Sequence, residues 1–393
     1  MTISWENGLQ LTFWFAVAGL AYIYAGYPLL VWLLSRCIAG RRHREQTRDR
    51  ISVVVTAYNE EARIVRKLDS ILASHVAHRI ERVIVASDGS TDDTPVLVSE
   101  YGDPRVQLLH CTERAGKPTA VNNAVALCTG EIVVLTDARQ ELDPAAIGEL
   151  AANFADPDVG VVSGELVLLS DGESTAAAQG IGFYWKYEKF IRKCESRFRG
   201  VPGATGALYA IRRSLFRPIA PQTLLDDVVI PMQAIERGYN CLFEPRAIAY
   251  DRPSQSSGQE AIRKRRTIAG AAQLMVQHPR WLFPSMNPLW FEFFSHKICR
   301  LASPFLLIAA LGSNWLLRDT APLYGILLPI QGLFYEAAIL GWLIQQSGRH
   351  QLLSRAGRCL GPFLMFLTLN LTTVAALWDA LRGKYRVTWR KAT

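Results

Sequence analysis

The sequence lacks the residue patterns that mark several common classes of protein. Its seven cysteines are scattered, with no CxxC pair and no accompanying histidine cluster, which argues against a zinc site or a disulfide framework. The phosphate loop GxxxxGK[ST], a GxGxxG turn after the first predicted strand and the GxSxG elbow are also absent. We therefore do not expect a P-loop ATPase, a dinucleotide-dependent enzyme or an α/β-hydrolase.

Charged residues are also scarce, and the shortage is concentrated at the two ends of the chain. They make up 20% of the sequence, compared with about a quarter in average globular proteins. The net charge is +8, and basic residues cluster beside the apolar runs, where they would meet anionic lipid headgroups. We therefore expect membrane lipids, and not nucleic acid, as partners.

The first apolar run covers residues 11–34 and is long enough to cross a bilayer as a helix. Before it the only charged residue is Glu6, whereas six arginines follow it between residues 36 and 50. Because basic flanks stay in the cytoplasm, we expect an N-terminal transmembrane helix and a cytoplasmic middle domain.

Three more apolar runs lie near the C-terminus, at residues 301–317, 321–344 and 359–378. Both the loop after the second run and the C-terminal tail are basic. Three consecutive spans would put these segments on opposite sides, whereas the positive-inside rule favours the cytoplasm for both, so the side of the tail stays open. Glu336, in the second run, is either a functional group or a residue that pairs with a neighbouring helix or sits near an interface.

Between the apolar ends, short β-branched strands alternate with amphipathic helices. This pattern predicts an α/β domain with a mainly parallel sheet, in which ligands bind at the carboxyl ends of the strands. A polar segment follows each of the first four strands. The predicted strands are residues 51–56, 82–86, 106–109 and 132–136, and the segments after them contain Tyr58, Asp88, Lys117 and Asp137.

These segments carry the groups that a nucleoside diphosphate needs. Their acids can accept hydrogen bonds from sugar hydroxyls and base N–H groups, Lys117 and helix N-termini can meet phosphate, and Asp137 can bind a divalent cation. Each segment alone could equally be a turn or a helix cap. Their succession along one sheet edge favours a binding site.

With these residues in place, the chain resembles the family 2 glycosyltransferases, above all the membrane-bound branch of cellulose, hyaluronan, chitin-oligosaccharide and exopolysaccharide synthases. The resemblance covers about residues 51–270 and is strongest at residues 53–61 and 87–92. It implies a GT-A fold, an inverting reaction, a nucleotide-sugar donor that is usually UDP-linked, and Mg²⁺ or Mn²⁺. By resemblance, the nucleotide is held by Ala57, Tyr58, Glu60, Asp88, Lys117 and Asp137, of which Asp137 is also the metal ligand.

Two motifs depart from the family pattern. The third reads Asp137-Ala138-Arg139 where the family commonly has Asp-x-Asp. Arg139 could contact the diphosphate, or point to solvent or to an acid, and Glu141 or Asp143 could replace the missing ligand. On the predicted interfacial helix, Arg266 matches the arginine of the Gln-x-x-Arg-Trp element. Arg263 and Thr267 replace its glutamine and tryptophan, which weakens the expectation of processive synthesis.

The acceptor side and the catalytic base are expected further along the chain. Residues 203–213 resemble the acceptor-side segment, where small residues such as Gly206 allow a sugar close to the backbone. Asp227 falls on the general base of the Thr-Glu-Asp motif, which takes the proton that the attacking hydroxyl must lose. Paired acids at a helix start are also a common cap. By resemblance, the acceptor-binding residues are Gly206, Asp226, Arg263 and Arg266.

The sequence therefore predicts a multi-pass protein of the cell or inner membrane with a cytoplasmic glycosyltransferase domain. It would transfer a sugar to a growing or lipid-linked glycan in polysaccharide synthesis, with polysaccharide-assembly proteins as partners. A polyprenyl-phosphate monosaccharide transferase and a non-catalytic nucleotide-sugar-binding assembly subunit are the alternatives. The expected parts are an N-terminal membrane helix at 1–40, the catalytic domain at 51–255, interfacial helices at 256–298, about three membrane helices at 299–380 and a basic tail at 381–393.

Overall fold

The computed structural model describes residues 5–38, 43–169, 176–251, 257–346 and 354–382. One eight-stranded sheet forms the centre of the middle domain, in the order β3-β2-β1-β4-β7-β6-β8-β5. The strands are β1 (Ile51–Ala57), β2 (Ile80–Asp88), β3 (Val106–Cys111), β4 (Ile132–Asp137), β5 (Glu141–Leu142), β6 (Val159–Leu168), β7 (Leu208–Arg212) and β8 (Asn240–Asp251).

The first four strands make the parallel half of the sheet. β1 pairs in parallel with both β2 and β4, and β2 pairs in parallel with β3. β7 then runs antiparallel between β4 and β6. The mainly parallel α/β sheet confirms the predicted fold class. Ala57 lies opposite Ser87 in β2, and Thr56 lies opposite Asp137 in β4, so the polar segments after these strands share one edge.

Helices cover both faces of the sheet, which explains why β1 is buried along its whole length. One apolar layer includes Ile64 and Ile147, and the other includes Val121 and Ile230. The helices are α1 (Trp5–Ala21), α2 (Tyr27–Cys37), α3 (Ile64–Leu72), α4 (Thr94–Ser99), α5 (Lys117–Ala126), α6 (Ala146–Ala151), α7 (Ala176–Phe198), α8 (Asp226–Ile235), α9 (Ser257–Gln277), α10 (Trp290–Phe293), α11 (Cys299–Leu317), α12 (Pro322–Gln346) and α13 (Ser354–Leu381).

Four helical segments in the described part of the chain are long and apolar enough to cross a membrane. Polar contacts join three of them, because Tyr24 Oη donates to Ser303 Oγ at 3.0 Å, and Ser303 Oγ donates to Asn370 Oδ1 at 2.5 Å. Hydrogen bonds of this kind between helices help membrane spans to pack. The four segments are Trp5–Cys37, Trp290–Leu317, Pro322–Ile344 and Cys359–Leu381.

The segment Trp290–Leu317 begins earlier than the run 301–317 that the sequence suggested. Its first turns contain His296 and Arg300. A search of the sequence for uncharged runs therefore leaves these turns out of the predicted span. The structure pairs both with α7, since His296 Nε2 is 3.0 Å and Arg300 Nη1 2.9 Å from the Glu188 carboxylate. Partners that are distant in sequence therefore allow charged residues to lie near the start of this helix.

Candidate active site

Lys117 joins three acidic positions that are far apart in the sequence. It is the first residue of α5, directly after Gly116, whose φ of +91° suits glycine. Its Nζ lies 2.9 Å from Asp137 Oδ1 at the end of β4 and 3.1 Å from Asp226 Oδ2 at the start of α8. The predicted phosphate-binding lysine and two predicted acids thus form one cluster, in which Lys117 and Asp226 are buried and Asp137 is partly exposed.

The charges in this cluster shift the pKa of each member. Burial lowers the pKa of Lys117, but the carboxylates of Asp137, Asp226 and Asp227 outweigh it and raise the pKa above its usual range. Burial alone would raise the pKa of Asp137, yet the Lys117 ammonium and the Arg139 guanidinium hold it below its usual range. Lys117 and Asp137 are therefore an ion pair at neutral pH.

The pKa of Asp227 is shifted in the opposite direction from that of Asp137. Burial, and then the neighbouring Asp226 carboxylate, raise the pKa of Asp227. Its Oδ2 accepts a hydrogen bond from the Gly206 backbone N–H at 3.1 Å. A carboxylate with a raised pKa is a better proton acceptor than an ordinary aspartate.

Gly206 allows this close arrangement. A Cβ atom added there would stand 3.3 Å from Lys117 Nζ and 3.5 Å from Asp227 Oδ2. The structure thus brings the acceptor-side glycine, the lysine and the predicted base together, with Asp226 on the other side of the ammonium.

A second group of predicted residues lies around Tyr58, after β1. The Arg114 guanidinium lies 3.5 Å from the centre of the Tyr58 ring, in a cation–π contact. Asp88 accepts hydrogen bonds from the backbone N–H groups of Ala115 at 2.7 Å and Gly116 at 3.0 Å, so its carboxylate orients the loop that leads to Lys117.

Ala57 and Glu60 flank Tyr58 on the same edge. Ala57 is buried as the last residue of β1. The Glu60 backbone N–H donates to Thr94 Oγ1 at 2.8 Å, and its carboxylate pairs with Arg63 at 2.9 Å. The sequence alone does not indicate the contact with Arg114, because nothing in the spacing of Tyr58 and Arg114 shows that their side chains meet.

Arg139, the departure from Asp-x-Asp, pairs with an acid. Its Nη2 lies 2.5 Å from Asp251 Oδ2 at the end of β8, and the Asp251 side chain is 2% exposed. Gln140 Nε2 donates to the same oxygen at 3.1 Å. Of the alternatives that the sequence left open for Arg139, the structure shows the pairing with an acid.

Lys67 lies inside the domain beside this pair and was not singled out from the sequence. Its side chain is fully buried, and its Nζ donates to Thr136 Oγ1 at 2.7 Å, directly before Asp137. Burial lowers the pKa of Lys67 to about 7, against the opposing effect of Asp137 and Asp251. Its position on the amphipathic face of α3 gives no indication of this environment.

The predicted interfacial residues lie on α9. Arg266 Nη2 is 3.5 Å from the Leu224 carbonyl oxygen, directly before α8, and Arg265 pairs with Asp379 in α13. Thr267 is exposed, and the side chain of Arg263 lies outside the described residues. Of these predicted residues, Arg266 is therefore the one that the structure places close to the start of α8, which carries Asp226 and Asp227.

Comparisons with known proteins identify the class. The model for glycosyl transferase family 2 matches residues 52–219. An N-acetylglucosaminyltransferase of Bradyrhizobium elkanii is 30% identical over 128 residues, which are 32% of this chain and 70% of that protein. The chain belongs to glycosyl transferase family 2 and is a glycosyltransferase.

Longer matches have lower identity. The uncharacterized glycosyltransferase YaiP of Escherichia coli is 26% identical over 280 residues, or 67% of this chain and 66% of that protein. An N-acetylglucosaminyltransferase of Rhizobium meliloti is 27% identical over 175 residues, or 44% of this chain and 41% of that protein. The chain therefore spans between two fifths and two thirds of the length of these two relatives.

One solved structure shares the fold over nearly the whole chain. The mannosyltransferase PcManGT of Pyrobaculum calidifontis, in complex with GDP-Man and Mn²⁺, superposes with a TM-score of 0.69 and 23% identity. The match covers 95% of this chain and 100% of that chain. It confirms the GT-A architecture, including helices outside the sheet domain.

Proposed function

We propose that this chain is an integral-membrane, inverting glycosyltransferase that moves a sugar from a nucleotide-sugar to a growing or lipid-linked glycan. The observation that carries the proposal is the cluster of Lys117, Asp137, Asp226 and Asp227 at the sheet edge. It combines a cation for a diphosphate with an acid whose pKa is raised, as the reaction requires.

In this proposal Asp227 is the general base. The acceptor hydroxyl attacks the anomeric carbon while its proton passes to the Asp227 carboxylate, and the nucleoside diphosphate leaves from the opposite face. One displacement therefore inverts the anomeric configuration. The Gly206 N–H fixes the orientation of the carboxylate, and Lys117 stabilises the charge that develops on the leaving diphosphate.

The nucleotide would lie between the end of β1 and the loop that precedes α5. Ala57, Tyr58, Glu60 and Asp88 are its proposed contacts or supports, and Arg114 adds a cation next to the aromatic ring. We propose a UDP-sugar as donor. Because several relatives are named N-acetylglucosaminyltransferases and the solved neighbour holds GDP-Man, N-acetylglucosamine and mannose donors should be tested first.

A divalent cation fits this site through one protein carboxylate. Mg²⁺ is commonly bound by one or two carboxylates together with substrate phosphates and water, and Asp137 offers such a carboxylate at the end of β4. Arg139 and its partner Asp251 add no second one. Among the described residues, no group of three or more His, Cys, Asp or Glu side chains could hold a metal. We propose Asp137 as ligand for Mg²⁺ or Mn²⁺, whose charge would neutralise the diphosphate.

The acceptor would approach from the membrane side, past Gly206, Asp226 and α9 with Arg263 and Arg266. Four candidate spans and a basic flank after the first one support insertion in the cell membrane with the catalytic domain in the cytoplasm. The proposed parts remain residues 1–40, 51–255, 256–298, 299–380 and 381–393. A role beside polysaccharide-assembly proteins is part of this proposal.

The test is nucleoside diphosphate release by the detergent-purified protein. Wild type, Asp227→Asn and the exposed control Asp158→Asn are compared with UDP- and GDP-sugars, Mg²⁺ or Mn²⁺, and lipid extract as acceptor. We expect one donor to be consumed by wild type and control, and a loss of about 10²- to 10⁴-fold in Asp227→Asn with donor binding kept.

Other outcomes separate the alternatives. A product with the mass of a glycosylated polyprenyl phosphate would favour the monosaccharide transferase. Donor binding without turnover, even with a partner synthase present, would favour an assembly subunit. Equal release by wild type and Asp227→Asn would contradict Asp227 as the base.

A further inference from the structure

Tyr209 carries a buried hydroxyl group that makes no hydrogen bond. It is the second residue of β7, lies opposite Leu135 in β4 and Ser163 in β6, and is 1% exposed. Among the described residues, none is a hydrogen-bond partner of its Oη. A buried hydroxyl without a partner is costly, because it has given up its hydrogen bonds to water. An exception of this kind in a folded domain requires an explanation.

A narrow cavity connects Tyr209 with the Lys117 cluster. Tyr209, Lys117 and Asp226 all line it, and it has no room for a water molecule. The hydroxyl group must therefore find its partner among the side chains. Burial, and then the Asp226 carboxylate, raise the pKa of Tyr209 above its usual range, so that the hydroxyl stays protonated and can donate.

The other hydroxyl groups that line this cavity are already engaged. Thr56 Oγ1 donates to Asp137 Oδ1 at 3.2 Å, and Thr136 Oγ1 donates to the Ala207 carbonyl oxygen at 2.6 Å. Of the described hydroxyl groups in the lining, Tyr209 Oη is therefore the one that still has a hydrogen bond to donate.

Asp226 has the complementary need for a donor. It is 4% exposed, and no well-aligned hydrogen bond reaches its Oδ2 in the described structure. Its charge is balanced by Lys117 Nζ at 3.1 Å. In the proposed function this ammonium group stabilises the leaving diphosphate and so turns away from Asp226. A buried carboxylate that loses its counter-ion is strongly destabilised, so another donor has to replace the ammonium.

We propose that Tyr209 is a positioning residue of the donor site, whose hydroxyl donates a hydrogen bond to Asp226 when Lys117 turns toward the diphosphate. The exchange keeps Asp226 ionised while the cation moves. A hydrogen bond to a charged acceptor is stronger than one between neutral groups, and the arrangement described above lacks it, so its formation favours donor binding. This inference rests on the proposed function, in which Lys117 is the cation for the diphosphate.

The test compares nucleotide binding by the detergent-purified full chain as wild type and as Tyr209→Phe. UDP and GDP are titrated separately in the presence of Mn²⁺, and the dissociation constant is measured by calorimetry. Tyr209→Phe should bind the nucleotide about tenfold more weakly, because a hydrogen bond to a charged group is lost. With the donor that the wild type consumes, KM should rise by a similar factor while kcat changes less.

The matched control is Tyr101→Phe, which removes a hydrogen bond of 2.7 Å to Asp69 in α3 and lies outside the cavity lining. It should bind nucleotide like the wild type.

The melting temperature without nucleotide separates this role from a purely structural one. Tyr209→Phe should melt about 2 °C above the wild type, because the change removes a buried hydroxyl that has no partner. Tyr101→Phe loses a hydrogen bond and should not gain stability. A lower melting temperature of Tyr209→Phe together with unchanged nucleotide affinity would overturn the proposal.

A double-mutant cycle identifies the acceptor. In an Asp226→Ala background, Tyr209→Phe should change the nucleotide affinity by less than about twofold, since the proposed acceptor is gone. If the tenfold loss persists there, a different group accepts the hydrogen bond and the proposal is wrong. Should Asp226→Ala not fold, Asp226→Asn takes its place, and the loss should then be clearly smaller than in the wild type.

Failure of the proposed function has a different signature. If the wild type binds neither UDP nor GDP, the proposed donor site is wrong, and the inference about Tyr209 is wrong with it. If the wild type binds one of them and Tyr209→Phe binds it equally well, the donor site stands and only the inference about Tyr209 is wrong.

Discussion

At the scale of single residues, the proposed chemistry depends on how neighbouring charges set each pKa. Asp226 and Asp227 are adjacent in sequence, yet Asp226 meets the Lys117 ammonium while Asp227 is held by the Gly206 N–H. Burial and Asp226 then raise the pKa of Asp227. Two adjacent aspartates can therefore serve different functions.

This shift predicts the acid limb of the pH–rate profile. A base acts only when deprotonated, so kcat/KM should fall as the pH drops through the raised pKa of Asp227, at a pH above that of an ordinary aspartate. Asp226→Asn removes one cause of the shift and should move the limb to lower pH. Initial rates between pH 4 and 8 measure both. An unmoved limb would mean that another group titrates.

Lys67 gives a second prediction, on stability. In the unfolded chain Lys67 holds its proton up to its ordinary pKa of 10.5, whereas the folded protein releases it near pH 7. Between these values the unfolded state binds more protons, so this residue makes the free energy of unfolding rise with pH, by up to about 1.4 kcal/mol per unit. Lys67→Met lacks this dependence.

Melting temperatures of the two proteins in detergent at pH 7 and pH 9 test the Lys67 prediction. The wild type should gain stability relative to Lys67→Met as the pH rises. Lys186→Met, at an exposed position on α7, serves as control. A constant difference between wild type and Lys67→Met would show that Lys67 does not change its charge in this range.

At the scale of elements, the ends of β4 and β8 are connected by the pair Arg139–Asp251. The two residues are 112 positions apart, and Asp251 is 2% exposed. A buried carboxylate without its partner is strongly destabilising. Arg139, the arginine in the third motif, therefore has a structural partner at the end of β8.

Arg139→Ala should lower the free energy of unfolding by about 3 kcal/mol, the low end for a broken buried pair, because Arg139 itself is partly exposed. Adding Asp251→Asn should recover much of this loss, since no charge then remains unpaired. Melting temperatures of both variants and of Arg66→Ala, which loses an exposed pair with Glu141, provide the measurement. A higher donor KM with unchanged melting temperature would instead indicate contact with the diphosphate.

At the scale of the whole molecule, α7 connects the sheet domain to the candidate membrane helices. Glu195 is fully buried and accepts hydrogen bonds from Tyr27 in α2 and from His296, whose Nδ1 lies 2.8 Å away. Arg300 and His296 contact Glu188, which lies seven residues before Glu195 in α7. These contacts tie α7 to two of the four candidate spans.

Glu195→Leu should loosen this connection. It leaves two buried polar groups without an acceptor, each at a cost of about 1–3 kcal/mol, so the melting temperature of the full chain should fall by several degrees. Lys193→Leu, two residues away and exposed, should change little. If both variants have the melting temperature of the wild type, the contacts of Glu195 in α7 do not stabilise the connection between the sheet domain and the candidate spans.

The parts of the structure that the sequence predicts are those that depend on residues close together along the chain. The four parallel strands and their polar ends are local patterns, and the structure has them with longer bounds. The pairs Arg139–Asp251 and Tyr58–Arg114, and the burial of Lys67, depend on residues that approach only after folding. The helix that contains the run 301–317 begins earlier, at Trp290, and the sequence does not indicate this because Glu188, which pairs with His296, lies in another helix.

The Lys117 cluster has a consequence for the response of the protein to ionic strength. Its cation lies inside the domain between Asp137 and Asp226, where mobile ions screen poorly. Arg50 and Glu131, by contrast, are 59% and 49% exposed and pair at the surface. Added salt should therefore weaken the rim of the catalytic domain well before it weakens the centre.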